Sequence, residues 1–202
     1  MTVKTRDRMI ETTARLLQER GYYGTSLKDI LVESGAPRGS LYFHFPGGKT
    51  EIVAEATRAS IDQATEALRQ SLAQAPTPGA GVRRFVEVTA EMMAASNYTF
   101  GCPVAPIILD AQGEEATLAE LCRAAFDEWA VVMRAAFEDA DIDPDRAATL
   151  ALMVEATHEG LFLIARARRD IAPLMTGAVE LEALIDDAIP PQAARQSGQG
   201  GC

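Results

Sequence analysis

Apolar side chains recur at intervals of three and four residues along most of the chain, and alternation never persists long enough to mark a strand. The pattern predicts an all-α protein. Ile10, Ala14 and Leu17 share one face of a first helix over 6–20, which Gly21 ends. Leu27, Ile30 and Leu31 form the inward stripe of a second helix, closed by Gly35. Leu41 and Phe45, four apart, face inward from a third that opens near Pro37. A long helix follows over 49–74. Pro76, Pro78, Gly79 and Gly81 then read as a loop before a helix over 82–95. One Gly and two Pro make 96–106 irregular. Three further helices are expected over 114–140, 145–168 and 173–189. The helix over 145–168 is apolar nearly all round, which calls for burial on more than one side. The Gly-rich, polar stretch 190–202 is expected to be a disordered tail.

The densest local information lies in 26–49. Ser26 with Asp29 three residues on forms a capping box at a helix start. A helix, a Gly turn and a short second helix make a helix-turn-helix, whose second helix enters the DNA major groove. Its outward residues are Arg38, Gly39, Ser40, Tyr42, Phe43 and His44. Arg38 is the candidate for a bidentate guanine contact, and Gly39 and Ser40 permit close approach. Tyr42, His44 and Lys49, with Thr25 and Ser26, are candidates for phosphate. Phe43 offers an apolar surface suited to a thymine methyl.

The segment GAPRGSLYFHFPGGK resembles the recognition segment of the TetR (tetracycline-repressor-like) regulators. That pattern runs small, Gly, apolar, any, basic, Gly, any, Leu, Tyr, any, His, Phe, with a Lys shortly after. Leu31 stands where the family usually has Ala, and Ala36 where Val is common, a volume exchange within one small core. The Pro46-Gly47-Gly48-Lys49 link and the Gly101-Cys102-Pro103 segment resemble the LmrA-like, multidrug-responsive subgroup. The resemblance implies a three-helix DNA-binding head over 1–50 and a helical ligand-binding and dimerisation body over 51–189. It further implies a homodimer, a near-palindromic double-stranded DNA operator, a small-molecule effector and usually repression.

Charge changes the picture in one respect. The formal net charge is −10, yet residues 1–50 carry +3 and the remainder −13. All three lysines lie in the first fifty residues. A basic head on an acidic body suits a DNA-binding domain joined to one that avoids DNA. Cys102, Cys122 and Cys202 form no CxxC pair, and with only His44 and His158 no multi-histidine metal site is expected. No signal-peptide pattern opens the chain, so a cytoplasmic protein is the expectation.

Met92, Met93, Phe100, Cys102, Ile107, Trp129, Met133 and Phe162 are the candidate lining of an adaptable apolar pocket. Asp110 and His158 are its polar candidates. Glu155 offers a second carboxylate for a cationic or hydrogen-bonding ligand. Nucleophile elbow, P-loop, dinucleotide fingerprint and HExxH are all missing from the sequence, so neither an enzyme nor a cofactor is expected. The alternatives are a helical small-molecule-binding protein and a redox-responsive regulator acting through Cys102.

Overall fold

The computed structural model describes residues 4–110 and 116–191. Most of the expected tail, Cys202 and the expected helix start at Glu114 lie outside the described residues. Those residues form nine helices and no strand: α1 (Thr5–Arg20), α2 (Leu27–Ser34), α3 (Ser40–His44), α4 (Gly48–Gln74), α5 (Pro78–Ala95), α6 (Ala105–Asp110), α7 (Ala116–Glu138), α8 (Pro144–Arg168) and α9 (Ala172–Asp186).

Three apolar cores define the layout. Met9, Leu16, Ile30, Leu41, Phe45 and Ile52 close the head around α1 to α3 and the start of α4. Leu17, Tyr22, Val53, Val104, Ile107, Leu118 and Cys122 form the junction between head and body. Val86, Met93, Phe137, Leu150, Phe162, Leu174 and Leu181 belong to the main core of the body. The helix α4 contributes to all three, through Ile52, Val53 and Leu68.

The boundaries follow local chemistry. Both bonds of the expected capping box are present: Asp29 N–H donates to Ser26 Oγ at 3.2 Å, and Ser26 N–H to Asp29 Oδ2 at 3.3 Å. Gly35 ends α2 in the left-handed conformation at φ 64°. Asp143 caps α8, with Pro144 in its first turn.

Two expectations are corrected. The Pro78, Gly79 and Gly81 stretch is not a loop but the opening turn of α5, capped by the Thr77 side chain. Pro fits the first turn, where its missing N–H is no loss. The glycines serve packing: a Cβ on Gly79 would stand 2.6 Å from the Glu182 carbonyl, and one on Gly81 2.8 Å from Leu72 Cα. Glycine there lets α5 approach α9 and α4 closely. The second correction concerns the recognition helix. Pro37 to Gly39 form a separate turn, with Ser40 N–H donating to the Pro37 carbonyl at 2.9 Å. Regular helix is confined to Ser40–His44 because Gly39 is a poor helix former and Pro46 follows.

By length and composition α8 passes as a membrane span. Yet Glu155, His158 and Glu159 sit in its middle, and Leu150, Val154 and Phe162 belong to the body core. Its other apolar side, Leu152, Met153, Leu163 and Ile164, is exposed, as are Met175, Val179 and Leu184 on α9.

Candidate functional site

The head presents an exposed surface at Arg38, Gly39, Tyr42 and Phe43, while Leu41 and Phe45 are buried beneath it as their spacing required. Ser40 and His44 are half-buried. Ser40 Oγ donates back to the Pro37 carbonyl at 2.6 Å, and the His44 ring packs edge-on against Phe43 at 4.9 Å. Phe43 is 79% exposed and Tyr42 65%, although both are large aromatics. That is the arrangement of a surface awaiting a partner rather than a core.

Two candidate DNA contacts are corrected. Thr25 is fully buried, and its hydroxyl donates to the Gly21 carbonyl at 2.8 Å, so it holds the end of α1 instead of a phosphate. The Lys49 ammonium donates to the Tyr22 carbonyl at 2.8 Å and lies 4.1 Å from the centre of the Tyr22 ring. It ties the start of α4 to the turn after α1. Ser26 stays exposed, but its hydroxyl is engaged with Asp29 at 2.5 Å.

The other head cations divide clearly. Arg6 pairs with Glu55, Arg15 with Glu19 and Glu33, and Arg20 with Glu33. Bonds between Arg15 and Glu33 hold the Glu33 carboxyl below its ordinary range and raise Arg15. Lys4, Arg8, Lys28 and Arg38 form no ion pair with any described residue. Lys28, at the exposed start of α2, is a phosphate candidate that the motif does not single out. Which cations neighbouring carboxylates have already claimed is decided by the packing of α1 on α2 and α4, not by local spacing.

In the body, α4, α5, α7 and α8 surround an apolar cavity of about 150 Å³, walled on one side by the irregular segment 100–103. Of the candidate lining, Met92, Phe100, Cys102, Trp129, Met133, His158 and Phe162 border it. Met93, Ile107 and Asp110 do not, and these are corrections. Met93 and Ile107 are buried in the apolar cores, and Met93 and Asp110 border a second hollow between the end of α1, α6 and α8. Asp110 Oδ2 instead accepts from Tyr22 N–H at 2.8 Å, beneath Gly21, where any Cβ would collide with it.

The carboxyl and imidazole groups of the lining come from α8, while Gln18, Ser60, Gln63 and Thr89 add neutral polar groups from α1, α4 and α5. Glu155 and Glu159 flank His158 on the helical stripe that leads to Phe162, a periodicity readable in the sequence. Thr89 Oγ1 donates to the Val86 carbonyl at 2.8 Å and lies 3.0 Å from His158 Nε2. With its one hydrogen spent, the hydroxyl accepts, so Nε2 carries the ring proton. Burial between Phe85 and Phe162 pushes the His158 pKa down to about 4, leaving the ring neutral. Burial likewise raises the Cys102 thiol, with the Glu159 carboxyl beside it adding to the effect. A protonated, buried thiol is a poor nucleophile.

Glu155 is the anomaly. Its Oε1 is buried with no hydrogen-bond partner among the described residues. Burial, then Asp127 and Glu159, push its pKa up to about 7. A carboxyl whose folded pKa exceeds its ordinary 4.5 contributes stability fully below pH 4.5 and loses it as pH rises through about 7. Glu155→Gln should therefore melt like the parent at pH 4 and higher than it at pH 8. Discounted for partial exposure, the gain is about 1–2 kcal/mol, or roughly 2–8 °C in Tm. Equal shifts at both pH values would mean that the charge is not the cost.

Known proteins place this combination of head and cavity. Residues 9–56 match the family described as bacterial regulatory proteins, tetR family. Residues 78–180 match the C-terminal domain of LmrA/YxaF-like transcriptional regulators. An HTH-type transcriptional regulator of Mycobacterium tuberculosis is 36% identical over 84% of this chain and 88% of its own. The HTH-type transcriptional regulator LmrA of Bacillus subtilis is 31% identical over 85% of this chain and 91% of its own. Among solved structures, the regulator CifR complexed with 26-base-pair operator DNA superposes with a TM-score of 0.76 at 22% identity. That match covers 88% of this chain and 94% of that one.

Proposed function

The chain belongs to the TetR family of bacterial transcriptional regulators, with an LmrA/YxaF-like body, and from that premise we propose a homodimeric repressor, released from a near-palindromic operator by a small apolar or amphipathic ligand. The head over 1–50 holds the DNA, and the body over 51–189 holds the ligand and the second subunit. CifR, in complex with operator DNA, gives the precedent for a fold of this kind docking on a duplex.

One observation carries the ligand-release reading. The segment that walls the cavity, Phe100 to Pro103, continues from Tyr98 and Thr99, whose carbonyls accept from Arg166. The same guanidinium reaches the Gln18 carbonyl of α1 at 2.9 Å. Occupancy of the cavity therefore bears on a wall that shares its anchor with the head. A ligand that prefers a state with the heads wrongly spaced weakens DNA binding without touching the DNA face. Tenfold release requires a preference of about 1.4 kcal/mol.

The exposed apolar faces of α8 and α9 support the dimer. Gly160, with nothing within 4 Å of where a Cβ would stand, and Ala156 form a small-residue strip beside Leu152 and Leu163. Pairing these faces as a four-helix interface buries what α8 leaves bare. Two recognition helices would then meet major grooves about 34–36 Å apart.

The test is binding to the DNA flanking the protein's own gene against a shuffled fragment, at several salt concentrations, with footprinting. Selective protection of a near-palindrome by a dimer is expected. Equal affinity for both fragments, with only the electrostatic salt dependence left, would overturn the operator reading.

A further inference from the structure

We propose that the body cavity takes an aromatic organic cation, a flat and mostly apolar molecule bearing one positive charge, held between its ring walls and the carboxylates of Glu155 and Glu159. This rests on the reading of the cavity as the effector site and names the chemistry that site selects.

The lining fixes both halves of the ligand. Phe85, Phe100, Phe126, Trp129 and Phe162 supply five aromatic rings. The Trp129 indole N–H is spent on Thr65 Oγ1 at 2.9 Å, so that ring offers the ligand an apolar surface. Aromatic faces attract flat apolar molecules and, through the ring quadrupole, cations.

Charge decides the rest. Among the described residues, Glu155 and Glu159 are the ionisable carboxyl groups on the lining, and no lysine or arginine lies there. The neighbouring His158 is neutral and cannot offset them. Asp127, on α7, adds to the negative field at Glu155. The buried Glu155 Oε1 has no hydrogen-bond partner among the described residues. An anion would meet two carboxylates with nothing to balance it. A neutral apolar molecule would complete the desolvation of Glu155 and leave it unpaired. A cation supplies the missing charge inside the apolar walls, where its attraction is least screened.

The experiment uses the full-length protein and two probes of nearly equal shape, berberine, a flat aromatic cation, and its neutral reduced form dihydroberberine. Titration calorimetry at pH 8 should show berberine bound at least about tenfold more tightly than dihydroberberine. Glu155→Gln should weaken berberine by about tenfold or more and leave dihydroberberine within about twofold. Melting of the same variant confirms that it is folded. A variant that holds both probes as the parent does, a parent that prefers the neutral probe, or binding of neither would overturn the cation assignment. Operator release is measured separately. If berberine binds through Glu155 yet leaves operator affinity unchanged, the ligand assignment stands and the ligand-release reading falls.

Discussion

Replacing Arg166 with methionine is expected to lower folding stability by about 2–4 kcal/mol and to disconnect the cavity from the DNA-binding head. The guanidinium donates to three carbonyls, those of Tyr98 at 3.0 Å, Thr99, and Gln18 at 2.9 Å. Gln18 lies in the last turn of α1, where carbonyls have no partner within the helix and a cation is favoured by the helix dipole. Asn97 and Tyr98 both hold positive φ, at 56° and 65°, a conformation that costs free energy unless its surroundings enforce it. Arg166 and Arg169 enforce it, the latter by bonding Asn97 and lying over the Tyr98 ring. Methionine keeps the aliphatic bulk and removes every donor. Each carbonyl left dry costs about 1–3 kcal/mol, and partial exposure returns some of that to water.

The functional consequence separates from the structural one. Without ligand, the variant should hold operator DNA within a few-fold of the parent, since α2 and α3 are untouched. Ligand affinity should likewise change little. What should disappear is the ligand's effect on DNA affinity, which is measured by operator titration with and without saturating berberine. Unchanged coupling would move the path to other ties across the junction, such as the Asp110 carboxylate on Tyr22 N–H and the Arg6–Glu55 ion pair.

What can be read from the sequence sorts by the range of the interaction. Ser26 and Asp29, Leu41 and Phe45, and Gly35 act within four residues, so their roles are legible from spacing alone. The cavity is half legible. His158 and Phe162 announce an inward stripe on α8, and Glu155 and Glu159 flank it at the same period. Side chains whose partners come from another element are not. Thr25 looks like a free hydroxyl until Gly21 folds over it, and Lys49 like a free cation until the Tyr22 carbonyl meets it. Asp110 resembles a pocket acid, but its partner is the N–H of Tyr22, 88 residues away. Pro78 and Gly79 are turn residues by composition. Only the approach of α9, which leaves no room for a Cβ, explains why glycine stands in a helix there.

The same sorting sharpens the expectation for DNA. Arg38→Ala should cost about 1–3 kcal/mol per half-site, and so about 2–6 kcal/mol on a two-fold operator. Of the eight basic residues in 1–50, Arg6, Arg15, Arg20 and Lys49 are held by protein partners. Arg38 is not, and it stands exposed in the turn that leads into Ser40–His44. A residue entering the groove at the N-terminal end of the recognition helix reaches base edges first. Gly39 beside it removes the side chain that would hold the backbone away. If Arg38 reads a guanine, the loss is confined to operator DNA and tolerance appears at one base position in each half-site. Lys28→Ala supplies the contrast. As a phosphate contact it should weaken operator and shuffled DNA alike and reduce the slope of log affinity against log salt by about one per subunit. Lys49→Ala should behave as neither: its ammonium holds the Tyr22 turn, so its effect belongs in the melting temperature and not in the salt slope. A uniform loss on all sequences for Arg38→Ala, with the salt slope falling as for Lys28, would make Arg38 a phosphate anchor. Base reading would then fall to Tyr42 and Phe43, the two exposed aromatics on α3.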